Sequence, residues 1–120
     1  MKYPSVDWYP IIILLRYETA MKLTAQMTHQ QFNDMKNKVI DTAYKFFGLD
    51  VEPWAHDYAC APSAVRVYMG KSTYRWRIYF PETIALRYAH SDFDTRKKLR
   101  AAIDDVVSAE PVGTGTMADG

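Results

Sequence analysis

The first strongly patterned segment of the chain is a run of apolar residues near its start. Ile11 to Leu15 reads IIILL and begins with three β-branched residues, which is typical of a strand buried on both faces. The next segment, RYETAMKLTAQM, contains good helix formers, and periodicity does not separate strand from helix in short apolar runs. We favour a strand over about Pro10 to Glu18, with a helix within Ile11–Met27 as the alternative.

A helical pattern follows the apolar run. Thr28 and Gln31 have the spacing of a capping box, in which each side chain satisfies a free backbone donor of the first turn. Gly48 supplies the left-handed residue that commonly ends a helix. Apolar residues recur between these signals at every third or fourth position and predict a helix from about His29 to Phe47. They are Phe32, Met35, Val39, Ala43 and Phe46.

A long connection, Leu49 to Ser63, separates this helix from the next patterned segment. Loops longer than about 12 residues are uncommon and are often functional. This one is too aromatic for a disordered linker, so we expect it to fold back onto the domain. The residues of interest in it are Trp54, His56, Tyr58 and Cys60.

Apolar and polar positions alternate in three segments between residues 65 and 89. Val65–Met69 and Tyr74–Phe80 are predicted to form a hairpin across the turn sequence GKST, and Thr83–Ala89 a third strand. A second helix is predicted from about Asp92 to Ser108. Its apolar side carries Leu99, Ile103, Val106 and Val107.

Together these elements predict a single α+β domain. The two amphipathic helices each offer one apolar stripe, so both are expected to cover the same face of an antiparallel sheet of three to four strands, as a two-layer sandwich. The domain is expected to span residues 1–108. The final segment, AEPVGTGTMADG, has little to bury and is expected to be a flexible C-terminal tail over 109–120.

Alternation along the predicted strands separates an apolar face from a basic and aromatic one. Guanidinium groups match phosphate and carboxylate oxygens in pairs, and tyrosine rings offer stacking surfaces to bases. Tyrosine and arginine are also enriched where the binding energy of protein interfaces is concentrated. Arg16 would join this face if the first strand is adjacent. The predicted face has no Asp or Glu and consists of Arg66, Tyr68, Arg75, Arg77, Tyr79 and Arg87.

Composition and charge limit the kinds of partner. The chain has 120 residues, of which 48% are hydrophobic, and a net charge of +1 at pH 7, as in an ordinary globular domain. Nonspecific nucleic-acid binding depends on phosphate neutralisation, so the near-zero charge argues mildly against it. No apolar run approaches the roughly 20 residues of a membrane span. The single cysteine, Cys60, suits the reducing cytoplasm.

Two short motifs are candidates for catalysis, and each has a simpler structural explanation. His56 and Cys60 lie in one loop as a nucleophilic pair, but such pairs usually come from distant segments of the chain. His90, Asp92 and Asp94 have the chemistry of a Mg²⁺ or Mn²⁺ site. Acidic residues at the beginning of a helix are, however, explained by capping and by the helix dipole.

The sequence therefore predicts a non-catalytic module, without metal or cofactor, that binds and modulates an acidic protein partner. The Arg/Tyr face is its predicted site, with Trp54 in the long loop as a further contact. Binding of single-stranded RNA or DNA by the same face is the second hypothesis. A small metal-dependent or Cys/His enzyme is the third. Association of two copies through an exposed face or sheet edge is also open.

Overall fold

The computed structural model describes residues 10–16, 23, 27–58, 60–68 and 71–109, and three strands and three α-helices have both ends within these residues. Of the strand side chains it describes Ile11, Ile78 and Tyr79. The elements follow one another as β1 (Pro10–Arg16), α1 (His29–Phe46), a short 3-10 turn (Ala55–Asp57), β2 (Cys60–Tyr68), β3 (Lys71–Tyr79), α2 (Glu82–Ala89) and α3 (Phe93–Ala109).

The strands form one antiparallel sheet with β3 in the centre, in the order β1–β3–β2. β1 pairs with β3 over its whole length, from Pro10 opposite Tyr79 to Arg16 opposite Thr73. The apolar run near the start of the chain is thus a strand over residues 10–16. The end of the predicted strand, residues 17 and 18, lies outside the described residues, and Leu23 within the alternative segment is helical. It reaches its pairing partner only after more than 50 intervening residues, so no local pattern indicates which strand it joins.

β2 and β3 form a hairpin that is longer than the sequence pattern predicts. β2 begins at Cys60, inside the segment predicted to be a loop, and it includes Pro62. The register with β3 shifts between Pro62 and Val65, as in a β-bulge. Proline is tolerated here because β2 has a described neighbour on one side only.

α1 begins and ends where its capping residues predict. The Thr28 hydroxyl oxygen accepts a hydrogen bond from the Gln31 N–H at 3.0 Å, and the Gln31 side-chain oxygen accepts one from the Thr28 N–H at 2.9 Å. At the other end Gly48 has a φ of 70°. The N–H groups of Gly48 and Leu49 donate to carbonyl oxygens of the last helical turn. This is the bond pattern of a Schellman motif, and the predicted capping box and glycine cap are confirmed.

Replacing Gly48 by alanine is expected to lower the free energy of unfolding by about 1 kcal/mol, because an L-residue is strained at this positive φ. A Cβ at this position meets nothing within 4 Å, so the cost comes from the backbone and not from a clash. Gly48→Asn is the matched control and should cost less, since asparagine adopts the left-handed conformation more readily. Urea unfolding of the three proteins measures the order. Equal stabilities of the alanine and asparagine variants would contradict this explanation.

The segment predicted to be a third strand, Thr83–Ala89, is helical and belongs to α2. The N–H groups of Ile84 and Ala85 both donate to the carbonyl oxygen of Pro81 at 3.0 Å, which closes the first turn. Ile84 and Ala85 are neighbours and both are fully buried. A strand would send them to opposite sides, whereas one helix face accommodates both.

The predicted two-layer sandwich of a three- to four-stranded sheet with two helices is therefore wrong. Helix is the main regular structure of the described residues, which contain three helices where the sequence predicts two. Alternation over a segment as short as Thr83–Ala89 fits both a strand and a helix. The Ala, Leu and Arg residues of this segment favour a helix, and burial of Ile84 and Ala85 stabilises that helix.

The core lies between the helices and one side of the sheet. It joins Ile11 and Ile78 of the sheet to buried residues of all three helices. The stripe predicted for α1 is only partly right, because Phe32 and Phe46 are half-buried at its margin. The fully buried residues of α1 and α3 are Met35, Val39, Ile40, Ala43, Tyr44, Leu99, Ile103 and Val107.

The domain limit at residue 108 stays a prediction. The predicted tail over 109–120 lies outside the described residues except for Ala109, which is the last residue of α3. Among the described helices, none is both long enough and apolar enough to span a membrane.

Candidate binding surface

The strand register gathers the basic residues of β2 and β3 on one side of the sheet. Residues directly opposite each other in antiparallel strands belong to the same side. Arg66 is opposite Thr73, and Tyr68 is opposite Lys71. Positions 66 and 68 of β2 therefore share a side with the odd-numbered positions of β3, which are Lys71, Thr73, Arg75, Arg77 and Tyr79.

β1 adds both apolar and basic positions to that side. Ile12 is opposite Arg77, and Leu14 is opposite Arg75. Arg16 is opposite Thr73, as expected if the first strand lies in the same sheet. We call this side the outer face; it comprises positions 10, 12, 14 and 16 of β1, 61, 66 and 68 of β2, and 71, 73, 75, 77 and 79 of β3.

The charged residues of the outer face are all basic. All the basic residues of the three strands occupy it, and the strands contain no Asp or Glu. The other side of the sheet faces the core, because Ile11 and Ile78 are opposite each other and both are buried. Since side chains alternate along a strand, the outer face is the side turned away from that core. Its basic members are Arg16, Arg66, Lys71, Arg75 and Arg77.

Two residues predicted for the site lie elsewhere than the sheet. Arg87 is on α2, so its predicted place on the Arg/Tyr face is wrong. Trp54 lies between α1 and β2, is 42% exposed, and has its ring 6.0 Å from that of Tyr58. Tyr79 is half-buried at the end of β3. That the outer face binds a partner stays a prediction.

The segment that carries Trp54 is fastened to α1. Lys36 Nζ donates a hydrogen bond to the carbonyl oxygen of His56, and His56 Nε2 lies 2.7 Å from Asp41 Oδ1. The Tyr44 hydroxyl, from within α1, donates to Glu52 Oε2 at 2.7 Å. The described part of the predicted long loop thus folds back onto the domain, as expected, and these bonds attach it to α1.

The residues considered for catalysis take part in structural contacts. Asp92 Oδ1 accepts a hydrogen bond from the Thr95 N–H at 2.7 Å at the beginning of α3. This bond is the main cause that lowers the pKa of the Asp92 carboxyl group. His56 is held by the half-exposed Asp41, while Cys60 lies in β2. Among the described side chains, no group of three or more His, Cys, Asp or Glu residues could hold a metal ion.

A cleft of about 610 Å³ lies where the end of α1 meets α2 and the beginning of α3. Phe47 and Leu86 contribute apolar surface to it, and Arg87 and His90 contribute basic groups. The sequence does not signal this cleft, because its residues come from different elements and α2 itself is predicted as a strand. Once α2 is known to be a helix, the spacing of Thr83, Leu86, Arg87 and His90 indicates a common side.

Known proteins provide no guide to either surface. Comparison of the chain with protein-family models, with curated protein sequences and with solved structures finds no match. The interpretation of the outer face therefore depends on the residues and the strand register of this chain.

Proposed function

We propose that the protein is a non-catalytic module that binds and modulates an acidic protein partner through the outer face. The observation that supports this is the register, which brings all the basic residues of the strands, and no acidic one, to a single side of the sheet. A surface rich in carboxylates is the electrostatic complement of such a face. Arginine and tyrosine are the residue types that commonly dominate interface energies.

The contribution of β1 favours a protein over a nucleic acid. Ile12 and Leu14 lie beside Arg77 and Arg75 in the register, so the face combines apolar and cationic positions. Protein interfaces have an apolar centre with a polar rim, whereas nucleic-acid interfaces are much more positively charged. A strand that is apolar on both sides is also typical of one covered on both sides. The described core covers one side of β1, and the partner would cover the other.

The test is a charge reversal at the centre of the outer face, Arg75→Glu together with Arg77→Glu. The matched control, Lys45→Glu together with Lys98→Glu, makes the same change in net charge at exposed helical positions. Proteins retained by the immobilised full chain after nuclease treatment are identified, purified and titrated against each variant. We expect the strand variant to bind at least about tenfold more weakly, and the control to stay within about twofold of the wild type.

Three outcomes would overturn the proposal. Equal losses in both double variants would mean that only net charge matters. Loss of binding after nuclease treatment, with tight and steeply salt-dependent binding of a single-stranded oligonucleotide, would establish the nucleic-acid hypothesis instead. A loss of more than about 2 kcal/mol of folding free energy in the strand variant would mean that the face is buried within this chain.

The proposal requires no cofactor and no metal ion. It places the protein in the cytoplasm, where its one cysteine, Cys60, would stay reduced. Fractionation of cells that express the full chain tests this assignment. We expect the protein in the cytosolic fraction, and recovery in a membrane or secreted fraction would contradict the assignment.

A further inference from the structure

The cleft between α2 and α3 has the size and lining of a small-molecule site. Its volume of about 610 Å³ falls in the range of about 300–1,000 Å³ that ligand pockets occupy. Phe47 and Leu86 supply its apolar surface. Leu86 is 37% exposed and is one of four large hydrophobic side chains left exposed among the described residues.

Two basic side chains in the cleft are available to a ligand. Arg87 and His90 are both exposed, and neither side chain bonds to another described residue. No acidic residue contributes to the described lining. The cleft therefore combines an apolar wall with a guanidinium and an imidazole, whose N–H groups can donate hydrogen bonds to an anion that carries an apolar body.

The carbonyl oxygens at the end of α2 are already engaged. The backbone N–H of His90 and the hydroxyl of Ser91 donate to the carbonyl oxygens of residues 86 and 87, at 3.0 and 2.6 Å. Arg96 donates to those of Tyr88 and Ala89, at 3.0 and 2.6 Å. Free carbonyl groups make the end of a helix unfavourable for anions. These bonds reduce the repulsion between the carbonyl oxygens of α2 and a bound anion. The bonds from Arg96 also hold α2 against α3.

We propose that this cleft binds a small organic anion, with its phosphate or carboxylate group against Arg87 and His90 and its apolar body against Phe47 and Leu86. Hydrogen bonds from guanidinium to an oxyanion are charge-assisted and directional. Because the cleft also has an apolar wall, we expect the apolar part of the ligand to contribute as much to the binding affinity as its charged group. The site is independent of the outer face, because all four residues lie outside the sheet.

Phenyl phosphate is the probe, and its binding to the full chain is followed by ¹⁵N–¹H NMR. Saturable shifts are expected for the amides of residue 47 and residues 83–95. Arg87→Gln should weaken binding by about tenfold, because it removes a charged donor. Lys98→Gln removes the same charge from an exposed position of α3 outside the cleft lining and should change affinity by less than about twofold. The spectra of both variants report directly whether they are folded.

Two partial ligands separate the contribution of the charged group to affinity from that of the aromatic ring. Inorganic phosphate carries the charge alone and benzyl alcohol the ring alone, and each is expected to bind at least about tenfold more weakly than phenyl phosphate. The proposal is overturned if no saturable shift occurs up to about 20 mM phenyl phosphate. It is equally overturned if inorganic phosphate binds as tightly as phenyl phosphate, or if Arg87→Gln and Lys98→Gln lower the affinity by the same factor. Chemical shift changes centred on β1, β2 and β3 would also overturn it.

Discussion

Replacing Phe80 by alanine is expected to lower the free energy of unfolding by about 3–5 kcal/mol. Phe80 directly follows β3 and is 0% exposed, in the same buried cluster as Ile78 and Ile84. Truncation would remove buried apolar surface and leave a cavity between the sheet and α2. Because a packed interior relaxes only partly, the cavity adds to the lost transfer free energy. A domain of this size is stable by about 5–15 kcal/mol in total, so the variant should lose a large part of its stability.

The matched control for this substitution is Phe93 at the beginning of α3. It is the same residue type but is 67% exposed, so Phe93→Ala should change the free energy of unfolding by no more than about 0.5 kcal/mol. Urea unfolding, followed by both circular dichroism and tryptophan fluorescence, measures both variants. A loss below about 1 kcal/mol for Phe80→Ala, or equal losses for the two, would be incompatible with this core.

The second large effect is expected at Tyr44. Its ring is fully buried in the core, and its hydroxyl group donates to the Glu52 carboxylate at 2.7 Å. Hydrogen bonds to charged acceptors contribute about 1.5–3 kcal/mol. Glu52 is only half-buried and can be rehydrated, so Tyr44→Phe should cost about 1.5 kcal/mol at pH 7, near the low end of that range.

Tyr44 also makes stability fall in alkaline solution. Burial first, and then the Glu52 carboxylate, raise the pKa of the Tyr44 hydroxyl well above its ordinary value of 10.0. A pKa raised by folding stabilises the protein fully below the unfolded value, and that contribution is lost as the pH rises above it, because the unfolded chain ionises first. The loss approaches about 1.4 kcal/mol for each pH unit. The stability difference between wild type and Tyr44→Phe should therefore close near about pH 11.

Urea unfolding of wild type, Tyr44→Phe and Tyr88→Phe across this pH range tests the linkage. Tyr88→Phe is the control, because the Tyr88 hydroxyl is not bonded to another described residue, and it should retain the alkaline loss of the wild type. If the stability of Tyr44→Phe falls in parallel with that of the wild type, Tyr44 is not the group responsible.

The helices whose ends are defined by capping interactions could be predicted from the sequence. The capping box of Thr28 and the glycine at position 48 define α1 to within a residue of the expected bounds. Bonds of this kind join residues only a few positions apart, so they can be recognised in the sequence alone. Asp92 likewise marks the beginning of α3 through its bond to Thr95.

The third predicted strand failed because its pattern was too short to distinguish two periods. Ile84 and Tyr88 are two steps apart in an alternating strand pattern and one turn apart in a helix. Pro81 before the segment and Glu82 in its first turn were the available helix signals. The error also misplaced Arg87, whose assignment to the sheet depended entirely on the strand.

The outer face shows what sequence alternation can and cannot provide. Alternation alone groups Arg75 with Arg77, since it requires only that β3 is a strand. It says nothing about which strands are neighbours, and β1 brings Ile12 and Leu14 beside those arginines from a distant part of the chain. The apolar content of the face, on which the preference for a protein partner depends, therefore needed the tertiary structure.

The irregular register of β2 has a consequence for assembly. Pro62 lacks a backbone donor, and the shift between Pro62 and Val65 interrupts the regular spacing of the strand. An edge of this kind is a poor template for an incoming strand of another molecule. Open-ended strand addition, in which each copy extends the sheet of the next, needs two receptive edges. Among the described strands this leaves β1 as the receptive edge, so growth of that kind would stop at a pair joined through β1.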